Sequence, residues 1–203
     1  MQKIPSPCLT IEIYRKAIHL LGVIIPVLYH FIDQKSMIVA IASLLFLSFF
    51  MDMLRIKFDV TDAWFLKKMG VSQIFRSHEK SGFSALTFAF VGMMLCVLIS
   101  SKPVFNLAVC ILTFSDTAAA IVGILFGTKK INGKSIEGSC AFFIVSCILS
   151  LVIAHVYVQG MGFLLTAFCA SLVATLVELF SKNSNINDNM SIPISVSIIM
   201  YAF

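Results

Sequence analysis

Charge is scarce in this chain. Only 12% of its 203 residues are Asp, Glu, Lys or Arg, against 59% hydrophobic residues and a mean hydropathy of +0.98. A domain that meets water on every side needs much more polar surface, so this scarcity excludes a soluble globular protein and leaves no room for a second soluble domain. Metal-type cysteine spacing is missing too. Cys8, Cys96, Cys110, Cys140, Cys147 and Cys169 form no CxxC and no Cys/His set, and within apolar runs cysteine behaves as a small hydrophobe. There is no internal repeat and no low-complexity stretch. A cleavable leader is not expected, because the first apolar run follows about sixteen polar residues without a small-residue cleavage site, so that run should insert uncleaved. Tryptophan occurs once, at Trp64.

What remains is long apolar runs. At about 20 apolar residues per crossing, seven segments are expected to be helical and membrane-embedded: 17–32, 36–54, 83–100, 103–127, 139–158, 161–180 and 191–203. The fold expected is all-α and polytopic, one membrane-embedded catalytic unit over residues 1–203. With the N-terminus in the cytoplasm, every basic residue except Lys35 and Lys102 lies on the cytoplasmic side, as the positive-inside rule requires. The net charge of +5 is then topology and phosphate binding, not a nucleic-acid surface. Of the acidic residues only Asp33 falls outside, so charges of both signs gather at one face. In the cytoplasmic stretch 55–82, Trp64, Phe65, Leu66 and Met69 alternate with Lys67 and Lys68, the pattern of an interfacial amphipathic helix.

Four polar clusters mark the cytoplasmic ends of the spans. Glu12, Arg15, Lys16 and His19 share one helix face in EIYRKAIHLLG. Asp52 and Arg55 stand three apart in MDMLR. Arg76, His78, Glu79 and Lys80 precede Gly82 and Ser84. Each of these alone is compatible with topology charges or a simple ion pair. The fourth is harder to read that way: Asp116 lies inside an apolar run, where a charge costs about 2.5–3.5 kcal/mol on insertion scales. Ala119, Ala120, Gly123 and Gly127 follow on overlapping faces, which suits close helix packing. Packing does not account for Asp116. The loop GTKKINGKSIEGS then supplies Lys129, Lys130, Lys134, Ser135 and Glu137 with flexible glycines. It is not a P-loop, since the glycine spacing is one residue too long and no strand precedes it. The logic of a Lys/Gly phosphate cradle still applies. Glu178, Asp188 and Asn189 complete the set.

Carboxylates at Asp116, Glu137, Glu178 and Asp188 beside lysines and arginines suit Mg²⁺ and a nucleotide triphosphate, because Mg²⁺ takes hard oxygen ligands and shares them with substrate phosphates. Phosphoryl transfer asks mainly for positioning and charge neutralisation.

In these residues the chain resembles the CTP-dependent lipid-alcohol kinases: dolichol kinase, phytol kinase and the yeast-type diacylglycerol kinase. The marks run in order as ExxRKxxH (Glu12 to His19), DxxR (Asp52, Arg55), RxxExxG (Arg76, Glu79, Gly82) and DTAAAxVGxxFGxxKxxGKSxEGxxA (Asp116 to Ala141), then Glu178 and Asp188-Asn189. The longest mark is also similar to part of the phosphatidate cytidylyltransferase signature, so it speaks for CTP more than for reaction type.

The resemblance implies CTP and a polyprenol, phytol or diacylglycerol acceptor as substrates, with Mg²⁺ as cofactor. It implies Asp116, Lys134 and Glu137 as catalytic residues. The metal set would be Asp116, Glu137 and Asp188, and the nucleotide contacts Arg15, Lys16, Arg76, Gly123, Lys129, Lys130 and Ser135. Further polar site residues would be His19, Asp52, Glu79, Glu178 and Asn189. Asp116, Glu79 and His19, in that order, are candidates for the base that takes the alcohol proton. The rivals are nucleotidyl transfer and, from another class, a transporter with Asp116 as an intramembrane ligand; the crowding of polar groups at one face argues against transport.

Overall fold

The apolar segments all fold as helix, and the described residues are 86% helical. The computed structural model describes residues 6–58, 82–181 and 187–202. In chain order come α1 (Ser6–Leu20), a 3-10 turn (Leu21–Val23), α2 (Ile24–Phe31), α3 (Gln34–Phe58), α4 (Ala85–Ile99), α5 (Lys102–Cys110), a π turn (Ile111–Ser115) and α6 (Asp116–Leu125). A hairpin of two-residue strands follows, β1 (Lys130–Ile131) and β2 (Lys134–Ser135), and then α7 (Ile136–Val156), α8 (Met161–Phe180) and α9 (Asp188–Ala202).

Four helices have the length and apolarity of a crossing: Gln34–Phe58, the continuous run Lys102–Leu125, Ile136–Val156 and Met161–Phe180, with 25, 24, 21 and 20 residues. At 1.5 Å per residue, 20 residues reach about 30 Å, the thickness of a bilayer core. The chain is therefore an all-α integral membrane protein. The described residues of the segments expected at 17–32, 83–100 and 191–203 are mostly helical as well, but in shorter pieces. The interfacial helix expected around Trp64 lies outside the described residues.

The run Lys102–Leu125 is the central helix. Sixty-one per cent of its apolar window is buried, against 22–33% for the other three. Phe105, Leu107, Ile111 and Leu112 on it are fully enclosed, while α3 turns Phe46, Leu47, Phe50 and Met51 outward. In water such a surface would aggregate; in lipid it needs no cover, because hydrocarbon solvates it.

Two local features position the site. Pro26 has no N–H to give to the carbonyl four residues back, and the helix tightens into the 3-10 turn Leu21–Val23 just before it. In that turn Gly22 lies against the π turn, where an added Cβ would stand 3.2 Å from Thr113 Oγ1. The second feature is the hairpin. Lys130 pairs with Ser135 and Ile131 with Lys134, and the two turn residues Asn132 and Gly133 have φ of 53° and 78°. That is an Asn-Gly turn with both central residues left-handed, the geometry that matches strand twist in two-residue hairpins. The segment expected to be a flexible Lys/Gly cradle is thus an ordered hairpin with Lys134 in its second strand.

Candidate functional site

The site starts from the π turn. A turn of i→i+5 geometry inserts one residue into the central helix and disturbs the regular backbone ladder, and such bulges recur at functional positions. Around it, the carbonyl of Thr113 accepts from Thr117 Oγ1 at 2.7 Å, and Leu112 O lies 2.9 Å from His19 Nε2. A carbonyl only accepts, so His19 carries its proton on Nε2. Ser115 Oγ accepts from Ser146 Oγ on α7 at 2.9 Å.

Asp116 is the first residue after the turn, buried, with its carboxylate paired to the ammonium of Lys16 on α1. His19 Nε2 is 3.7 Å from the same oxygen. One turn of α1 therefore brings two of the residues expected to share a face, Lys16 and His19, onto the charge in the central helix. Their neighbour Arg15 turns to Glu12 at 2.8 Å instead.

A second charged group closes the site. Lys134 Nζ is 2.6 Å from Glu178 Oε1 on α8 and 3.1 Å from Asp188 Oδ2 at the start of α9. Ser139 Oγ on α7 donates to Glu178 Oε2 at 3.1 Å. Burial works against the ammonium of Lys134, but Asp188 and Glu178 outweigh it, with Asp116 adding to the same field, and the pKa of Lys134 is raised. Asp116, Glu178 and Asp188 thus face Lys16 and Lys134 within one constellation drawn from α1, α6, the hairpin, α8 and α9. Buried charges persist only when paired in this manner.

The small residues build the wall between α6 and α7. A Cβ on Gly138 would meet Ala119 O at 2.6 Å, and one on Gly123 would meet Ser135 Oγ at 2.8 Å. Ser135 Oγ caps α7 by accepting from Gly138 N at 3.0 Å. Gly123 and Ser135 are thus occupied with each other and with helix packing. Glu137 reaches back across the loop, accepting from Thr128 N at 3.0 Å and from the Thr128 hydroxyl. Lys129 and Lys130 are exposed on the hairpin side.

Asp52 belongs to a neighbouring joint. It accepts from Arg55 at 3.0 Å, from Ser84 N at 2.8 Å, from Ser84 Oγ at 2.9 Å and from Thr87 Oγ1 at 2.7 Å. Arg55 also donates to Gly82 O. The cluster fastens the end of α3 to the start of α4, and Asn189 ties α9 to the same place through Ala85 O at 3.4 Å. Arg76 and Glu79 lie outside the described residues.

Among the described residues no group of three or more His, Cys, Asp or Glu side chains is gathered closely enough to enclose a metal ion. The donors do match the usual habit of Mg²⁺, which is held by one or two carboxylates and completed by substrate phosphates and water. Ser139, the Leu112 carbonyl and the direct Lys134–Glu178 pair were not foreseen from sequence. The Asn-Gly pair was a legible hairpin signal; the long-range partners had none.

Comparison with known proteins follows the same lines. No family profile matches the chain, and no solved structure does. The chain is similar to CTP-dependent diacylglycerol kinase 1 of Saccharomyces cerevisiae, 25% identical over 214 residues that cover 96% of this chain and 68% of the yeast protein. It is similar to the uncharacterized protein MJ1137 of Methanocaldococcus jannaschii, 24% identical over 93% of this chain and 92% of that protein. With the uncharacterized protein RP860 of Rickettsia prowazekii it shares 34% identity over 191 residues, 89% of each chain. At that identity and coverage, this all-α membrane protein belongs to the same family as the Rickettsia protein.

Proposed function

We propose that the chain is a CTP-dependent lipid kinase that moves the γ-phosphoryl group to the hydroxyl of a membrane lipid alcohol at the cytoplasmic face. The observation that carries this reading is the double lysine site: Lys16 held by Asp116 and Lys134 held by Glu178 and Asp188, at one end of a bundle otherwise clad in hydrocarbon-facing side chains. The similarity to the yeast kinase supports both donor and reaction.

The residues divide the work by charge. Lys16 and Lys134 stand ready as ammonium donors for phosphate oxygens, each paired with carboxylates of the site. Asp116 and Asp188 would hold Mg²⁺ together with the phosphates, and the ion would neutralise charge on the β- and γ-phosphoryl oxygens. The alcohol oxygen attacks the γ-phosphorus, the bond to the β,γ-bridging oxygen breaks, and CDP leaves with the electron pair. The alcohol proton passes to Asp116; of the other two candidates Glu79 lies outside the described residues, and His19, with its proton on Nε2, has only Nδ1 able to accept. Seven membrane-embedded segments and a cytoplasmic N-terminus complete the reading.

The test uses purified protein with Mg²⁺, CTP and a panel of polyprenols, phytol, diacylglycerol and phosphatidate, once with label on the γ-phosphate and once on the α-phosphate. Label from γ in the lipid phase, stopped by excess EDTA, is the expected result and identifies the acceptor. Label from α with release of pyrophosphate would replace the kinase by a nucleotidyl transferase.

A further inference from the structure

An acceptor that lives in the bilayer needs a path to the charged site, and one flank of the bundle offers it. Between α8 and α9 lies a groove of about 410 Å³ lined by Val177, Phe180, Met190, Ser191, Ile194 and Ile198. That volume falls within the range of about 300–1,000 Å³ typical of small-molecule sites. Building on the kinase reading above, we infer that this groove holds the hydrocarbon chain of the lipid alcohol, with the hydroxyl emerging at Asp188 beside Lys134.

Three observations converge on this. The two helices that form the groove are the two that supply Lys134 with its carboxylates, Glu178 from α8 and Asp188 from α9. On α9, Asp188, Ser191, Ser195 and Ile198 are spaced three, four and three apart, so one face runs from the ion pair down into the groove. The walls set the occupant's chemistry. Val177, Ile194 and Ile198 give water nothing to hydrogen-bond, whereas hydrocarbon packs against them.

Ser191 sets the polar end. Its hydroxyl is buried and has no hydrogen-bond partner among the described residues. Ser100 and Ser197 share this state among the described residues but neither lines the groove, whereas Ser139, Ser146, Ser150 and Ser171 donate to a carboxylate, a hydroxyl or a backbone carbonyl. A buried hydroxyl left open points to a missing partner. The hydroxyl or ester oxygen of a lipid alcohol, held just below Asp188, supplies one. The groove also opens sideways, since Phe180 and Ile198 on its rim are 49% and 53% exposed. A lipid enters from the bilayer without leaving it.

The experiment places the full chain in phosphatidylcholine nanodiscs with a long-chain diacylglycerol carrying a diazirine at the chain end, and maps the crosslinks by mass spectrometry. Crosslinks are expected on α8 and α9, displaced by unlabelled diacylglycerol but not by triacylglycerol, which lacks the hydroxyl. Ile194→Trp fills the groove and should cut that labelling and raise KM for a long-chain acceptor by about tenfold or more, with KM for CTP unchanged. Ile198→Trp, at the exposed rim, repeats the test where folding is least at risk. Labelling spread evenly over all lipid-facing helices, labelling unchanged in both variants, or equal displacement by triacylglycerol would overturn the assignment. If the groove is labelled in this pattern while no phosphate passes from CTP to any alcohol, the kinase reading falls and the lipid-alcohol site stands.

Discussion

Lys134 and Glu178 meet at 2.6 Å inside the bundle, one from a surface hairpin and the other from the last turn of a membrane helix. Asp188 shares the same ammonium at 3.1 Å, so a single side chain from a short hairpin holds the ends of α8 and α9 together. Removing one partner of a buried pair is costlier than never having had the pair, because the remaining charge stays in a poor solvent.

Lys134→Ala is therefore expected to lower stability as well as activity. The loss should be about 2–3 kcal/mol, reduced from the fully buried case because the side chain keeps 16% exposure. Thermal unfolding in detergent measures it. The raised pKa fixes the pH window. A lysine whose folded pKa lies above its unfolded value of about 10.4 contributes fully below that value and loses the contribution only as pH rises through the folded one. The stability difference between the wild type and Lys134→Ala should accordingly be flat from pH 7 to pH 9. A difference that shrinks across that window would show that the ammonium is not held as described.

Asp116→Asn keeps the shape of the side chain and removes its charge. Lys16 then loses its counter-ion, and the site loses the carboxylate to which the proposal gives both the metal and the base role. Turnover is expected to fall by a factor of about 100 or more, with membrane insertion and expression unchanged. Steady-state kinetics beside a detergent gel-filtration profile separates the two effects.

The π turn can be tested by deletion. Removing Phe114 takes out the extra residue and rotates everything beyond it by about 100° relative to α5. Either Asp116 leaves Lys16 or α6 leaves its seat against α7. Loss of activity in a protein that still inserts and remains monodisperse is the expected outcome, and retained activity would remove the bulge from the mechanism.

Gly138→Ala adds one methyl group 2.6 Å from a backbone carbonyl, which no side-chain rotation relieves. Helices α6 and α7 must separate, at a cost of about 1–3 kcal/mol. Gly160→Ala provides the control, since nothing lies within 4 Å of the added carbon there. Denaturant titrations of the two variants should differ by that amount.

Sequence reading went furthest where the signal was local. Asp116 stood out because a charge inside an apolar run has few explanations, and the clustering of Lys16, His19, Lys134, Glu178 and Asp188 at span ends followed from charge patterning alone. Asn132-Gly133 is a legible turn signal, but flanking strands of two residues are too short to show an alternating pattern, so the segment reads equally as flexible loop. Gly123 and Ser135 carry no sequence sign of each other, and only the fold sets Gly123 against the Ser135 hydroxyl. The π turn left no mark in ILTFS, since a bulge of that kind is imposed by what the helix packs against.

The sequence by itself determined the solvent of this protein, its all-α class and the inventory of charges at the span ends, because hydropathy and charge are properties of each residue in turn. Only the tertiary structure decided the pairing: Lys16 rather than Arg15 on Asp116, Lys134 across Glu178 and Asp188, Glu137 turned away to Thr128. Those choices depend on a 3-10 turn before Pro26, a bulge before Asp116 and a glycine wall at Gly123 and Gly138. Each sets where a rigid helix end arrives to within an ångström or two, and buried charges pair with whatever stands within that distance.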